Sequence, residues 1–312
     1  MQSKSKNAAA ASGSALNNAA ILLTLTLVTM LYAMTVTIAN VSLPQIKGAL
    51  SATTDEIALI ITFNIIATAV ATPMTGWLST RFGRRNTLVW AVIGFTVSSF
   101  LCGTATSLEQ LVFYRFLQGA CGAPLPPLCQ AIVVDAYPKE KIGQANAIFG
   151  MGVVLGPILA PTLGGYLSET YSWRWVFYMM VPCGLASLIG VLIFIKSHVA
   201  DKRADLDWTG FISLAVAIAA FQFMLDRGER LDWLDNWQIV ACAIAAVTGL
   251  YIFITHSLTS DRPFLNPRLL LKRNYALGLL IAFIFGLLNF TPITLIPALL
   301  QTLRGYPDSI VG

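Results

Sequence analysis

Charge is scarce in this sequence. Asp, Glu, Lys and Arg together make up 11% of its 312 residues, and there are two histidines. Soluble domains carry about a quarter of their residues as charges, so the composition excludes an ordinary soluble domain. Hydrophobic residues make up 56% and the mean hydropathy is +0.71. This balance predicts a membrane protein.

Catalytic and metal-binding patterns are also missing. The five cysteines lie in apolar segments without the spacing of metal ligands, which predicts reduced thiols in a packed core. The sequence has no nucleophile elbow, no P-loop and no H-E-x-x-H zinc motif. We therefore expect a protein that is not an enzyme and that holds no metal or organic cofactor.

Long stretches without any Asp, Glu, Lys or Arg dominate the chain. A helix needs about 20 apolar residues to cross a bilayer, and each stretch is long enough to do so. The nine stretches are 7–46, 57–80, 86–108, 116–134, 142–168, 175–195, 208–225, 236–260 and 274–303. They predict an all-α membrane protein with about nine transmembrane helices.

The basic residues of the connecting loops orient these helices. Lys and Arg accumulate in short cytoplasmic loops. With the N-terminus in the cytoplasm, the inner loops hold fourteen of the twenty basic residues and the outer loops hold five. The net charge of +5 follows from this topology, so it predicts no nucleic acid partner. One basic residue, Arg115, is left over; it directly precedes the charge-free stretch 116–134 and lies within the fourth hydrophobic segment.

The spacing of the helices predicts four regions. A boundary is expected at the charged connection 196–207, which is longer than the loops before it. The regions are a mobile cytoplasmic tail at 1–19, an N-terminal six-helix bundle at 20–196, a linker with an inserted pair of helices seven and eight at 197–260, and an inner connection with the first helix of an incomplete C-terminal bundle at 261–312.

Arg115 is the candidate functional residue, because an ionised side chain in hydrocarbon is costly unless it faces a cavity or a partner. Gln118 follows it by three residues and can share its helix face. Asn40, Asn64 and Gln130 add uncharged polar groups at membrane depth and are candidates for the same cavity. Two alternatives stay open: Arg115 snorkels to the outer interface, or each polar residue makes a structural bond between helices.

The fifth predicted helix has an unusual pattern of small residues and prolines. Glycines spaced by four let another helix approach closely, and prolines inside a helix remove hydrogen bonds and bend it. The residues concerned are Gly152, Gly156, Pro157, Pro161, Gly164 and Gly165. They predict a close-packed helix that can bend where an interface rearranges.

Five motifs now carry a family resemblance. They stand in order along the chain: TVTIANVSLP (35–44), GWLSTRFGRR (76–85), RFLQGACGA (115–123), GMGVVLGPILAPTLGG (150–165) and WRWVFYMMVP (173–182). They resemble the loop, fourth-helix and fifth-helix motifs of the major facilitator superfamily. The first and last are similar to its fourteen-helix drug:proton antiporters, the branch that includes EmrB and QacA.

The resemblance implies a function and a set of partners. It implies multidrug-type efflux of small amphipathic compounds by proton antiport with alternating access, driven by the proton gradient, in the bacterial inner membrane. Membrane lipid, the amphipathic substrate and a periplasmic adaptor protein are the implied partners. Gly76, Gly83, Arg84 and Arg85 would form a conformational gate at the cytoplasmic side, with the glycines allowing tight packing and the arginines making charge contacts.

The sequence departs from the family at two positions and in length. Thr80 and Thr35 stand where relatives often have aspartates, so the usual carboxylates for the gate and for proton coupling are absent there. We expect a fragment of a fourteen-helix carrier, or a protein that needs a partner to supply the second bundle. The alternative is a half-carrier that does not transport and acts as an assembly or regulatory membrane subunit.

Overall fold

The computed structural model describes residues 2–196 and 205–304. Helices make up the regular structure of these residues, and no strand occurs within them. The chain separates into two compact units, one up to residue 204 and one from residue 205 onwards.

The first unit is a bundle of nine α-helices, with a short 3-10 helix, Lys139–Lys141, between the sixth and the seventh. Their bounds are α1 (Gln2–Ala49), α2 (Thr54–Ala71), α3 (Met74–Phe82), α4 (Arg84–Thr104), α5 (Leu108–Gly122), α6 (Leu125–Ala136), α7 (Ile142–Thr170), α8 (Arg174–Tyr178) and α9 (Met180–Phe194). In this bundle, α1 packs on α7 and α9, α2 packs on α5, and α4 packs on α5 and α9.

The second unit contains α10 (Trp208–Arg227), α11 (Trp237–Thr259) and α12 (Arg273–Arg304). Helices α10 and α11 pack against each other as a hairpin. Side chains of Asp207 and Asn236 cap their N-termini by accepting from the backbone N–H groups of Gly210 and Gln238, as short polar residues do at helix starts.

Eight helical stretches among the described residues are long and apolar enough to cross a membrane, and the part Arg273–Leu288 of α12 is a shorter apolar stretch. The prediction of an all-α membrane protein is confirmed, and the helix count is consistent with about nine spans. The spans at 208–225 and 236–260 match α10 and α11 to within two residues at each end.

Three predicted spans are interrupted in the structure. The second breaks between α2 and α3 at Pro73, and the fourth begins earlier than predicted, at Leu108, and breaks between α5 and α6 at Pro124. Proline lacks the N–H that would continue the helix ladder. The sixth is divided at Met179 into the short α8 and the longer α9.

The N-terminal residues of the predicted mobile tail belong to the first helix. Residues 2–19 are helical and continuous with the first span as part of α1. Their sequence is rich in alanine, the strongest helix former. The mobility of this tail and the four region boundaries stay predictions, and 197–204 of the predicted linker lies outside the described residues.

Candidate functional site

Arg115 lies in the interior of the first unit. It is on the third turn of α5, which begins after the N-cap residue Ser107, and only 1% of its surface is exposed. The snorkelling alternative is therefore wrong for this bundle. The helix begins at Leu108 rather than at residue 116, which places Arg115 deeper than the charge-free stretch suggested.

A chain of three polar side chains starts at the Arg115 guanidinium. Its Nη1 donates to Gln118 Oε1 over 2.7 Å, and Gln118 Nε2 donates to Ser99 Oγ over 2.7 Å. Ser99 in turn donates to the main-chain oxygen of Phe95 over 2.7 Å. Arg115, Gln118 and Ser99 are all buried. The predicted pairing of Arg115 and Gln118 on one helix face is thus present, and α4 supplies its next member.

Among the residues that the structure describes, the other contacts of Arg115 include no carboxylate. The guanidinium carbon lies 5.8 Å from the centre of the Phe177 ring, within cation–π range. The Arg115 Nε atom is buried and has no hydrogen-bond partner. The surroundings of the Arg115 guanidinium are therefore the Gln118 amide and the Phe177 ring. This is unusual for a buried cation, because buried charges are normally paired with an opposite charge.

Asn64 joins the second span to the helix that carries Arg115. Its Nδ2 donates to the main-chain oxygen of Arg115 over 2.8 Å, and Thr68, one turn further, donates to the main-chain oxygen of Gly119 over 3.2 Å. A Cβ atom at Gly119 would clash with the main-chain oxygen of Asn64. Glycine is therefore needed there for α2 and α5 to approach.

The structure does not bring every predicted polar residue to this network. Gln130 lies on α6 with an exposed side chain, outside the hydrogen-bonded set, and the side chain of Asn40 is outside the described residues. Thr35, a position at which the family resemblance implies an acid, is buried and donates to the oxygen of Leu31 in its own helix. Within the described site, Arg115, Gln118 and Asn64 are the predicted residues that come together.

The predicted gate is a tight turn between α3 and α4. Gly83 has a φ of 83°, a left-handed conformation that favours glycine. Arg84 follows it and forms an ion pair with Asp135 at the end of α6; the two side chains are 38% and 45% exposed. Arg85 Nη2 donates to the main-chain oxygen of Leu192 in α9 over 2.9 Å. The two arginines thus tie the turn to two other helices.

Two residues of the same motif behave differently from the family expectation. A Cβ atom at Gly76 would meet no atom of the described residues within 4 Å, so the tight packing predicted for this glycine is not among the described contacts. Thr80 donates to the main-chain oxygen of Gly76 over 3.0 Å within the same turn of α3. The carboxylate for Arg84 comes instead from Asp135, which is 51 positions away in sequence.

The small residues of α7 face α1. A Cβ atom at Gly156 would lie 2.8 Å from the oxygen of Met30, and one at Gly164 would lie 2.6 Å from Ile38. Gly152 is packed in the same way against Thr26, and Gly165 is also buried. Pro157 and Pro161 lie inside α7, which stays a single helix. The predicted close packing is present, and its partner is another helix of the same bundle.

Three residues of the site were missed by the sequence analysis. Ser99 and Phe177 complete the surroundings of Arg115, and Asp135 completes the gate. Asp135 directly follows the charge-free stretch 116–134, on the same predicted membrane side as Arg84, and that shared position is the signal that could have paired them. Ser99 and Phe177 carry no such signal in a single sequence.

The second unit has its own polar centre at Asp207. Its Oδ1 lies 2.8 Å from His256 Nε2, and its Oδ2 accepts from the N–H of Phe264 over 3.0 Å. Partial burial would raise the pKa of Asp207. The hydrogen bonds from Gly210, Phe264 and His256 outweigh that effect and hold its pKa below the usual range. This carboxylate connects α10, α11 and the segment that follows them.

Comparison with known proteins gives a family match over most of the chain. The model of the Major Facilitator Superfamily matches residues 25–312. The chain is 36% identical over 289 residues to the multidrug export protein EmrB of Escherichia coli (strain K12), covering 92% of this chain and 56% of that protein. It is 36% identical over 277 residues to the fatty acid resistance protein FarB of Neisseria gonorrhoeae, covering 88% and 55%. The chain thus spans about half the length of these relatives.

A solved structure agrees with the fold. The proton:xylose symporter XylE bound to 6-bromo-6-deoxy-D-glucose superposes with a TM-score of 0.65 at 14% identity, covering 96% of this chain and 65% of that one. At this identity the match concerns the fold alone.

Proposed function

The chain belongs to the Major Facilitator Superfamily and is an integral membrane protein, and from that premise we propose that the complete protein is a secondary active transporter. It exports small amphipathic compounds across the bacterial inner membrane in exchange for protons, and the proton gradient supplies the energy. The name of the relative EmrB, a multidrug export protein, supports export, and the name of FarB, a fatty acid resistance protein, supports an amphipathic class of compound.

The observation that carries this proposal is the buried Arg115. A guanidinium stays charged in proteins, so the bundle interior holds a fixed positive charge whose contacts are an amide and a ring. The free energy of that charge depends on whether water, an anion or a bound compound lies beside it. A transport cycle needs a site that interacts differently with its surroundings in different states, and Arg115 provides one.

The gate contacts are suited to opening and closing. An exposed ion pair is worth about 0–1 kcal/mol, and both Arg84 and Asp135 are more than a third exposed. Arg85 adds one hydrogen bond to a main-chain oxygen. Contacts of this strength hold one state and still break at low cost, as alternating access requires.

Helix α7 supplies the interface that we propose to rearrange. The glycine side of α7 packs against α1. We therefore propose that the opposite side of α7 contacts other parts of the complete protein and moves against them. That side is apolar and exposed: Met151 is 61% exposed, Ile158 is 58% exposed and Tyr166 is 63% exposed. Pro157 and Pro161 allow the helix to bend there.

Reconstituted transport tests the proposal. The complete protein is placed in liposomes with a lipophilic dye, and a pH gradient is imposed across the membrane. We expect dye movement coupled to the gradient and its loss when an uncoupler removes the gradient. Equal dye movement in protein-free liposomes, or movement that ignores the gradient, would contradict proton-coupled export.

The second candidate is the half-carrier that does not transport. The observation in its favour is Thr35, which bonds within its own helix where relatives often place a proton-carrying acid. This candidate predicts no dye movement under any gradient, together with stable co-purification of another membrane protein. In either case membrane lipid is a partner, and a periplasmic adaptor protein belongs to the export proposal.

A further inference from the structure

A pocket of about 200 Å³ with both polar and apolar lining residues lies at the predicted cytoplasmic end of the first unit. It opens between an inner part of α1, the start of α4 and the ends of α6 and α9, and its lining includes no residue of the Arg115 network. Its polar lining consists of Asn17, Asn18, Arg84, Arg85, Asp135 and Lys196.

The charges of this pocket do not cancel. Asp135 is engaged by Arg84 in the gate ion pair. Arg85 and Lys196 then remain as excess positive charge. Arg85 uses Nη2 for the oxygen of Leu192, while its Nε is buried and has no hydrogen-bond partner. A buried donor without an acceptor is costly, so an oxygen-rich anion in the pocket would relieve it.

The start of α4 adds to the attraction for an anion. The helix begins at Arg84 after Gly83, and no side chain caps its N-terminus. Free N–H groups in the first turn carry partial positive charge and favour phosphate-like groups. The helix end therefore acts together with Arg85 and Lys196 at the same place.

We propose that this pocket binds the phosphate of an anionic phospholipid headgroup from the cytoplasmic leaflet. The polar lining meets apolar residues, Ile21, Ile132 and Phe194. The neighbouring outer face of α9 is apolar and exposed, with Ile189 57% and Ile193 66% exposed. If a lipid headgroup occupied the pocket, its acyl chains would lie along this apolar face of α9. Free phosphate has no apolar part that could contact the face. Basic pockets between helices on this side of a membrane are typical headgroup sites.

Lipid retention tests the assignment without any transport assay. The complete protein is purified from a mixture of equal parts phosphatidylglycerol and phosphatidylcholine, and the lipids still bound are counted by native mass spectrometry. Wild type is expected to retain phosphatidylglycerol preferentially. Lys196→Gln and Arg85→Gln should each lower that preference about fivefold. Lys139→Gln removes one exposed charge on the same side, outside the pocket, and should leave it unchanged.

The outcomes separate the possible ligands. Lys196 is exposed, so Lys196→Gln gives a result even if Arg85→Gln does not fold. An unchanged preference in Lys196→Gln would overturn the site. Loss of bound phosphatidylglycerol on addition of inorganic phosphate would assign the pocket to free phosphate and overturn the lipid as its source; retention supports the lipid.

Discussion

Asn64 donates a hydrogen bond from its Nδ2 to the main-chain oxygen of Arg115 over 2.8 Å. This bond fixes the helix that carries a buried cation to the second span, at the level of the cation itself. Together with Thr68 and Gly119 one turn away, it makes the α2–α5 pair a support for the Arg115 side chain.

The first prediction concerns this support. Asn64→Leu keeps the side-chain volume similar and removes the donor, so it should lower the free energy of unfolding by about 0.6 kcal/mol, the average for bonds between membrane helices. Gln130→Leu changes an exposed amide on α6 and should have no such effect. Thermal unfolding in detergent compares the melting temperatures of the two variants. Equal melting temperatures would show that the Asn64 hydrogen bond does not stabilise the α2–α5 pair.

The close packing of α7 on α1 gives the second prediction. Gly156→Ala places a Cβ 2.8 Å from the oxygen of Met30, so it should destabilise the protein by about 1–3 kcal/mol through overpacking. Gly150 lies in the same helix with nothing within 4 Å of its Cβ position, so Gly150→Ala should be neutral or stabilising. If both substitutions lower the unfolding temperature equally, the helix contact described here is incorrect.

The third prediction addresses the gate. Asp135→Asn and Arg84→Gln should each cost no more than about 1 kcal/mol of stability, because the pair is exposed to solvent. Exchanging the two residues in Arg84→Asp with Asp135→Arg should recover part of the loss. A double-mutant cycle on the unfolding free energy measures the coupling; a coupling of zero would show that the two residues act independently.

Asp207 gives a prediction of pH dependence. Because its folded pKa lies below its unfolded value of about 3.9, its stabilising effect is present above that value and is lost as the pH falls through the lowered pKa. Asp207→Asn should lower the free energy of unfolding by about 2 kcal/mol at neutral pH. The free energy of unfolding of this variant should also decrease less than that of wild type as the pH falls.

Thermal unfolding as a function of pH measures this difference. Asp261→Asn removes an exposed acid from the segment after α11 and serves as the matched control. An acid-sensitivity curve of Asp207→Asn identical to that of wild type would contradict the assignment.

The sequence predicted the hydrophobic spans well where charges and caps bound them. Helices α10 and α11 begin directly after Asp207 and Asn236. The side chains of these two residues cap the helices, so each polar loop ends where its helix begins. Breaks inside a span were missed at Pro73 and Pro124. Prolines are tolerated in membrane helices when neighbours satisfy the freed groups, so hydropathy alone does not show where a span divides.

Part of the site could be predicted because it is local. Arg115 and Gln118 are three residues apart on one helix, and their spacing brings them together. Ser99, Phe177 and Asp135 lie on other helices, and their contacts depend on how the bundle packs. Gln130 had the right chemistry and depth, but α6 turns its side chain to the exposed surface.

The most direct test of the account is gradient-driven dye export by the complete protein with Arg115→Gln. Arg174→Gln is the control, because Arg174 also lies over a ring, that of Trp173, at 4.5 Å, but is outside the buried network. Both variants are compared at equal amounts of folded protein in the membrane. We expect Arg115→Gln to abolish export and Arg174→Gln to retain it; export at the wild-type rate by Arg115→Gln would contradict a role of Arg115 in transport.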